Sequence, residues 1–143
     1  DVYKRQTLDL TNENIINLLA KNSKLSLHEI GKEVNLSTPS VRERINKLID
    51  SKIINRYTID INYKALGYEI NTIIEVEIKN NLYKDFTEFI NNQSNIDFCY
   101  RISGESCFIF KAHFKNMADV ESLIDKIQFF GHTKSHFIFS ETV

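Results

Sequence analysis

The chain has 143 residues, 42% of them hydrophobic and 26% charged, with a formal net charge of −1. That length suits one medium domain or two small ones of ordinary globular composition. No apolar run approaches the roughly 20 residues that span a bilayer, and no charged segment followed by an apolar one opens the chain. Two cysteines without a CxxC spacing make neither a disulfide framework nor a thiolate metal site, so Cys99 and Cys107 are expected as reduced thiols in a cytoplasmic protein.

Taken in order, Asp1–Gln6 (DVYKRQ) reads as a non-native, adapter-derived tail and is set aside. Thr11 is the expected cap of a first helix over Asn12–Asn22, with Ile15, Ile16, Leu18 and Leu19 on its apolar side. Ser26 and Glu29 have capping-box spacing, and Leu27, Ile30 and Val34 recur at helical intervals. Asn35 stops that run, being a residue that tolerates the left-handed conformation. Ser37 then offers a second N-cap, and Pro39 falls in the next first turn, where its missing N–H costs nothing. Val41, Ile45, Leu48 and Ile49 form the stripe of a third helix. Two short helices joined by a tight turn make a helix-turn-helix.

After it, Tyr57, Ile59 and Ile61 alternate, which predicts a short strand or wing. The segment NYKALG (62–67) closes this stretch, giving a helix-turn-helix domain over 7–54, a wing or hinge over 55–67 and a second domain over 68–143. In that second domain, alternating apolar runs over 71–79, 96–102, 108–114 and 135–140 bracket helical spacing over 82–90 and 117–127, with Gly131 expected to break the last helix. The order β-α-β-β-α-β predicts an α+β, ferredoxin-like domain with both helices on one face of an antiparallel sheet. The other face would be bare, with Ile73, Phe137 and Phe139 on it and a second copy of the chain as its expected cover.

Charge is uneven. Residues 37–64 carry six basic side chains against three acidic ones, a balance of +3, whereas residues 65–143 carry seven against eleven, a balance of −4. The positive window lies on and just after the third helix, as double-stranded DNA binding requires. Arg42 and Lys47 are the expected contacts, Ser37, Thr38 and Ser40 stand at the helix start, and Arg56 in the wing offers a further phosphate contact. Ser37 can instead serve only as a cap, and Arg44 can either meet DNA or brace the domain against a nearby acidic group. Of His28, His113, His132 and His136, only the last two have i, i+4 spacing, and no further ligand completes a set, so no metal or cofactor is expected. No nucleophile elbow or phosphate-binding glycine loop occurs, so enzyme chemistry is not expected.

LDLTNENIINLLAKNSKLS, EIGKEVNLSTPSVRERINKLIDSKII, INYKALGY, SGES and FGHTKSHFIFS, in this order and spacing, resemble the Lrp/AsnC (feast/famine) family of transcription regulators over about residues 8–141. The resemblance implies a winged-helix-like reader joined to a RAM/ACT-like sheet domain. It also implies assembly into dimers or octamers and a small effector, an amino acid or another molecule, bound around Gly104, Glu105, Ser106 and Cys107 and around Thr133 and Ser135. The chain departs from the family pattern at Asn35 and Lys52, where glycine is usual, at Ser106 and Cys107, where an aromatic residue and aspartate are usual, and at Ser135, where threonine is. A nucleoid-organising role without an effector is the alternative implied by the same architecture. The sirohaem decarboxylases also resemble this family, and His113, His132 and Arg101 are the residues such an enzyme would use.

Overall fold

The computed structural model describes residues 9–79, 81–105 and 107–143; the expected tail over 1–6 and Ser106 lie outside them. The chain divides into two compact units, 1–60 and 61–143.

The first unit is three helices: α1 (Leu10–Lys21), α2 (Leu27–Val34) and α3 (Thr38–Asp50). Helix α1 starts earlier than expected because Asp9, not Thr11, is its cap: the Asp9 carboxylate accepts from Asn12 N at 2.7 Å. The capping box of α2 is present in both directions, Glu29 N to Ser26 Oγ and Ser26 N to Glu29 Oε2, each at 3.1 Å. Asn35 takes the left-handed conformation at φ 57° and turns the chain back over α2. That return is close: a Cβ on Gly31 would stand 2.5 Å from the Leu36 carbonyl oxygen, so the turn requires glycine there. Ile15, Ile30, Val41, Ile45 and Leu48 are buried together, with Leu36, Ile53 and Ile54 packed around them.

Residues 55–62 form neither helix nor strand, which corrects the expected wing. Alternation alone does not make a strand; it needs a partner edge, and Tyr57 and Ile59 are left exposed.

The second unit opens with a 3₁₀ turn, Tyr63–Leu66, that the sequence reading placed in the hinge without structure. Then follow β1 (Ile70–Ile78), α4 (Tyr83–Asn91), β2 (Ile96–Arg101), β3 (Phe108–Phe114), α5 (Met117–Ile127) and β4 (Gly131–Phe137). The strands lie in the order β2-β3-β1-β4, all antiparallel neighbours. Ile74, Val76 and Ile78 alternate inward from β1 to meet Phe86, Ile90, Val120, Leu123 and Ile127 of the helices. Among the described residues no helix is long and apolar enough to cross a membrane.

Two details differ from expectation. Gly131 begins β4 rather than merely ending a helix: it lies opposite Ile78, and a Cβ there would come 1.8 Å from the Glu77 carbonyl oxygen. Phe137 pairs with Thr72, which places it on the helix-facing side, whereas Ile73, opposite His136, lies on the open face as expected. The open face is not bare throughout. His113 points to it and is covered by Tyr63 and Tyr68.

Candidate nucleic-acid interface

Helix α3 buries Val41, Ile45 and Leu48 and leaves Pro39, Arg42, Glu43, Asn46, Lys47 and Asp50 exposed. Ser37 accepts from Ser40 N at 3.4 Å, so its hydroxyl caps the helix, and Thr38 and Ser40 are half-buried beside it. Arg42 is exposed, while Lys47 makes an ion pair with Glu43 at 3.2 Å. With both side chains about two-thirds exposed, such a pair contributes little and opens readily toward a phosphate.

Arg44 has the bracing role. One guanidinium nitrogen donates to both Asp9 oxygens, at 3.0 and 2.8 Å, and to Asn12 Oδ1 at 3.0 Å, tying α3 to the start of α1. The bond from Asn12 N and then the Arg44 guanidinium hold the Asp9 carboxyl below its ordinary value. Arg56 is exposed and lines an apolar groove of about 550 Å³ with Ile16, Leu19 and Ile59.

The sequence reading passed over Asn46. It stands one turn after Arg42 on the same exposed face, and a carboxamide can bond an adenine edge in two places. The i, i+4 spacing from Arg42 was the available signal.

In the sheet unit, Gly104 (φ 100°) and Glu105 are exposed in the turn between β2 and β3. Cys107 closes that turn: its N–H donates to Val76 O at 2.9 Å, and its carbonyl accepts from Ile102 N at 2.9 Å. Its sulfur lies 3.2 Å from the Tyr83 hydroxyl, and this bond, with desolvation, raises the Tyr83 phenol above its usual value. The Arg101 guanidinium sits over the Tyr83 ring at 5.0 Å. Tyr83, Lys84, Glu88 and Arg101 line an open groove of about 800 Å³. Thr133 and Ser135 are half-buried on β4, opposite Val76 and Ile74, so β1 separates them from the turn within one chain. Among the described residues, no three metal-ligating side chains gather.

A capped helix-turn-helix that presents two cations and an amide from its second helix, followed by a βαββαβ sheet domain, defines a class: reader-plus-sensor regulators of transcription. The chain belongs to the Lrp/AsnC family. Residues 8–49 match the AsnC-type helix-turn-helix domain, and residues 71–143 match the Lrp/AsnC ligand binding domain. It is 40% identical over 134 residues to the transcriptional regulator LrpC of Bacillus subtilis, covering 94% of this chain and 93% of that one. The solved structure of B. subtilis LrpC superposes with a TM-score of 0.91 over 95% of this chain and 97% of its own. A transcriptional regulator from Neisseria meningitidis, solved as an L-Met complex, shares the fold at 21% identity with a TM-score of 0.89, covering 95% of this chain and 92% of that one. The chain is thus a DNA-binding, helix-turn-helix transcriptional regulator.

Proposed function

We propose that this regulator reads a pseudo-palindromic duplex site in the cytoplasm as a homodimer or larger homo-oligomer, up to an octamer, with one α3 in the major groove of each half-site. The observation that carries this reading is the exposed face of α3, where Arg42, Asn46 and Lys47 project from a helix fixed by its cap, its core and the Arg44 brace. Arg42 and Asn46 contact base edges, and Lys47 contacts phosphate once it leaves Glu43. Ser37, Thr38 and Ser40 bring the helix N-terminus to the backbone, and Arg56 adds a phosphate contact. The sheet domain takes a small effector, such as an amino acid, around Gly104–Cys107 and Thr133–Ser135. The separation of those two segments by β1 suits a site completed by another copy of the chain.

The test is Arg42→Ala combined with Lys47→Ala. DNA binding should be lost at physiological salt with the oligomer unchanged, and at low salt the slope of log K against log salt should fall by about 1, for the phosphate contact of Lys47. Unchanged affinity would rule out α3 as the reader. Equal wild-type affinity for selected and random duplexes would make the protein an organiser rather than a specific regulator. Calorimetry against the twenty amino acids without heat would remove amino-acid sensing.

A further inference from the structure

Arg101 ends β2 with its guanidinium over the Tyr83 ring, 5.0 Å from the centroid. The ion pairs among the described residues engage Arg44, Lys47, His113 and His136, so no carboxylate there holds Arg101 or Lys84. Both cations are exposed and line the open groove of about 800 Å³. A guanidinium resting on an aromatic face keeps its edge N–H donors free, in the planar fork that matches a carboxylate. Lys84, in the first turn of α4, adds a mobile point charge. Tyr83 and the buried Phe108, with ring centroids 6.0 Å apart, give the groove an apolar wall. Among its described lining residues Glu88 is the only acid, so the ionic lining is Lys84 and Arg101 against Glu88, a balance of +1. Glu105 is exposed on the nearby turn and does not line the groove. The groove nevertheless meets that turn, because the Tyr83 hydroxyl lies 3.2 Å from Cys107 Sγ.

We propose that this groove binds a small carboxylate with an apolar body and no ammonium group, the chemistry that α-keto acids and short fatty acids share, and that its occupancy reaches the turn through the Tyr83–Cys107 contact. This deepens the effector reading above and rests on it for the role of the turn. The carboxylate takes the Arg101 fork, Lys84 adds its charge, and the apolar body lies along Tyr83 and Phe108. An α-amino acid is disfavoured there, because its ammonium would stand among two cations with only Glu88 to offset them. Cys107, a thiol in contact with Tyr83 where the family usually has aspartate, supplies no carboxylate to hold that ammonium. A ligand that fixes the Tyr83 ring also fixes its hydroxyl, and through it Cys107. The Cys107 N–H and C=O close the turn on Val76 and Ile102, so the turn tightens with the groove.

The experiment is calorimetry on the full-length protein with three probes of one carbon skeleton: α-ketoisocaproate, isocaproate and L-leucine. The two probes without an ammonium should bind with dissociation constants on the order of 0.1–1 mM. L-leucine should bind at least about ten-fold more weakly. An α-ketoisocaproate at least about ten-fold tighter than isocaproate assigns the groove to α-keto acids, and parity assigns it to short fatty acids. Arg101 is exposed and outside the core, so Arg101→Gln leaves the fold intact and should weaken both carboxylates at least about ten-fold. Arg101→Lys keeps the charge without the fork and should recover part of that loss. Tyr83→Phe keeps the ring but not the contact with Cys107. It should bind within about two-fold of wild type, yet the ligand should no longer slow exchange of the Cys107 amide as it does in wild type. Silence from both carboxylates up to about 10 mM, L-leucine as tight as α-ketoisocaproate, or undiminished binding in Arg101→Gln overturns the site. Undiminished protection of the Cys107 amide in Tyr83→Phe overturns the transmission. Tight L-leucine binding that Arg101→Gln does not change overturns this inference and leaves the effector reading standing, so the two fail separately.

Discussion

Arg44 on the third helix grips both carboxylate oxygens of Asp9, a residue 35 positions earlier that caps the first helix. The contact ties the middle of α3 to the start of α1, so the proposed reader helix is held by an ion pair as well as by its apolar stripe. With the two side chains 31% and 50% exposed, screening by solvent limits the pair, and Arg44→Ala should lower the stability of the reader unit by about 1 kcal/mol. Amide exchange over α1 and α3 checks this. DNA affinity should fall through loosened structure, with the salt slope unchanged because no phosphate contact is lost.

The same pair gives the reader unit an acid dependence. Asp9 is held below its ordinary value of 3.8, so the folded state binds fewer protons there than the unfolded chain. The stabilisation is therefore fully present above pH 3.8 and is lost as the pH falls through the lower, folded value. Asp9→Asn should remove this component: its stability should show a shallower pH slope below about pH 4 than wild type. Parallel slopes in acid titrations followed by circular dichroism would exclude Asp9 as the source.

Glu43 shares the exposed face of α3 with Arg42 and Asn46 and holds Lys47 at 3.2 Å. An acidic group there repels phosphate but can accept from the cytosine amino group. Glu43→Gln should raise affinity for duplexes of any sequence several-fold and reduce discrimination between sites, with the salt slope unchanged because Lys47 contacts phosphate in both proteins. Anisotropy titrations on selected and random duplexes at three salt concentrations would measure all three.

Much of this was legible beforehand because the signals were local. Ser26, Glu29, Asn35 and Ser37 act within one turn of themselves, and the alternating runs around Ile74 and Phe110 report burial directly. Arg44 is different, since nothing near it in sequence reveals whether Asp9 or DNA will be its partner. Tyr57, Ile59 and Ile61 alternate like a strand, but strand formation depends on a partner edge that sequence does not contain. The Asp97–His113–Tyr63 cluster joins three distant segments through a bulge and a stacking contact, neither of which has a periodic signature.

Lys52 sits at φ 63° just past the end of α3, a conformation that costs a residue with a Cβ about 1–2 kcal/mol. Lys52→Gly relieves that strain while loosening the unfolded chain. The net effect should be a gain of about 1 kcal/mol, or roughly 4–8 °C in the melting temperature of a unit this small. A melting temperature that stays put or falls would mean that Lys52 makes a compensating contact.

Gly104 and Gly131 separate the two reasons a chain needs glycine. Gly104 has φ 100° with open space around its missing side chain, so Gly104→Ala pays only for backbone strain, about 1 kcal/mol. Gly131 has an ordinary strand conformation, but its Cβ would stand 1.8 Å from the Glu77 carbonyl oxygen and 2.8 Å from the carbonyl carbon. Backbone on the central strand cannot step aside as a side chain would, so β4 must shift away from β1. Gly131→Ala should therefore cost at least about 3 kcal/mol, the range of severe overpacking. Urea unfolding of the two variants should show Gly131→Ala far below Gly104→Ala in midpoint. Comparable midpoints would mean that the edge strand can slide on β1 at little cost, and that the β1–β4 register is softer than the Ile78–Gly131 pairing implies.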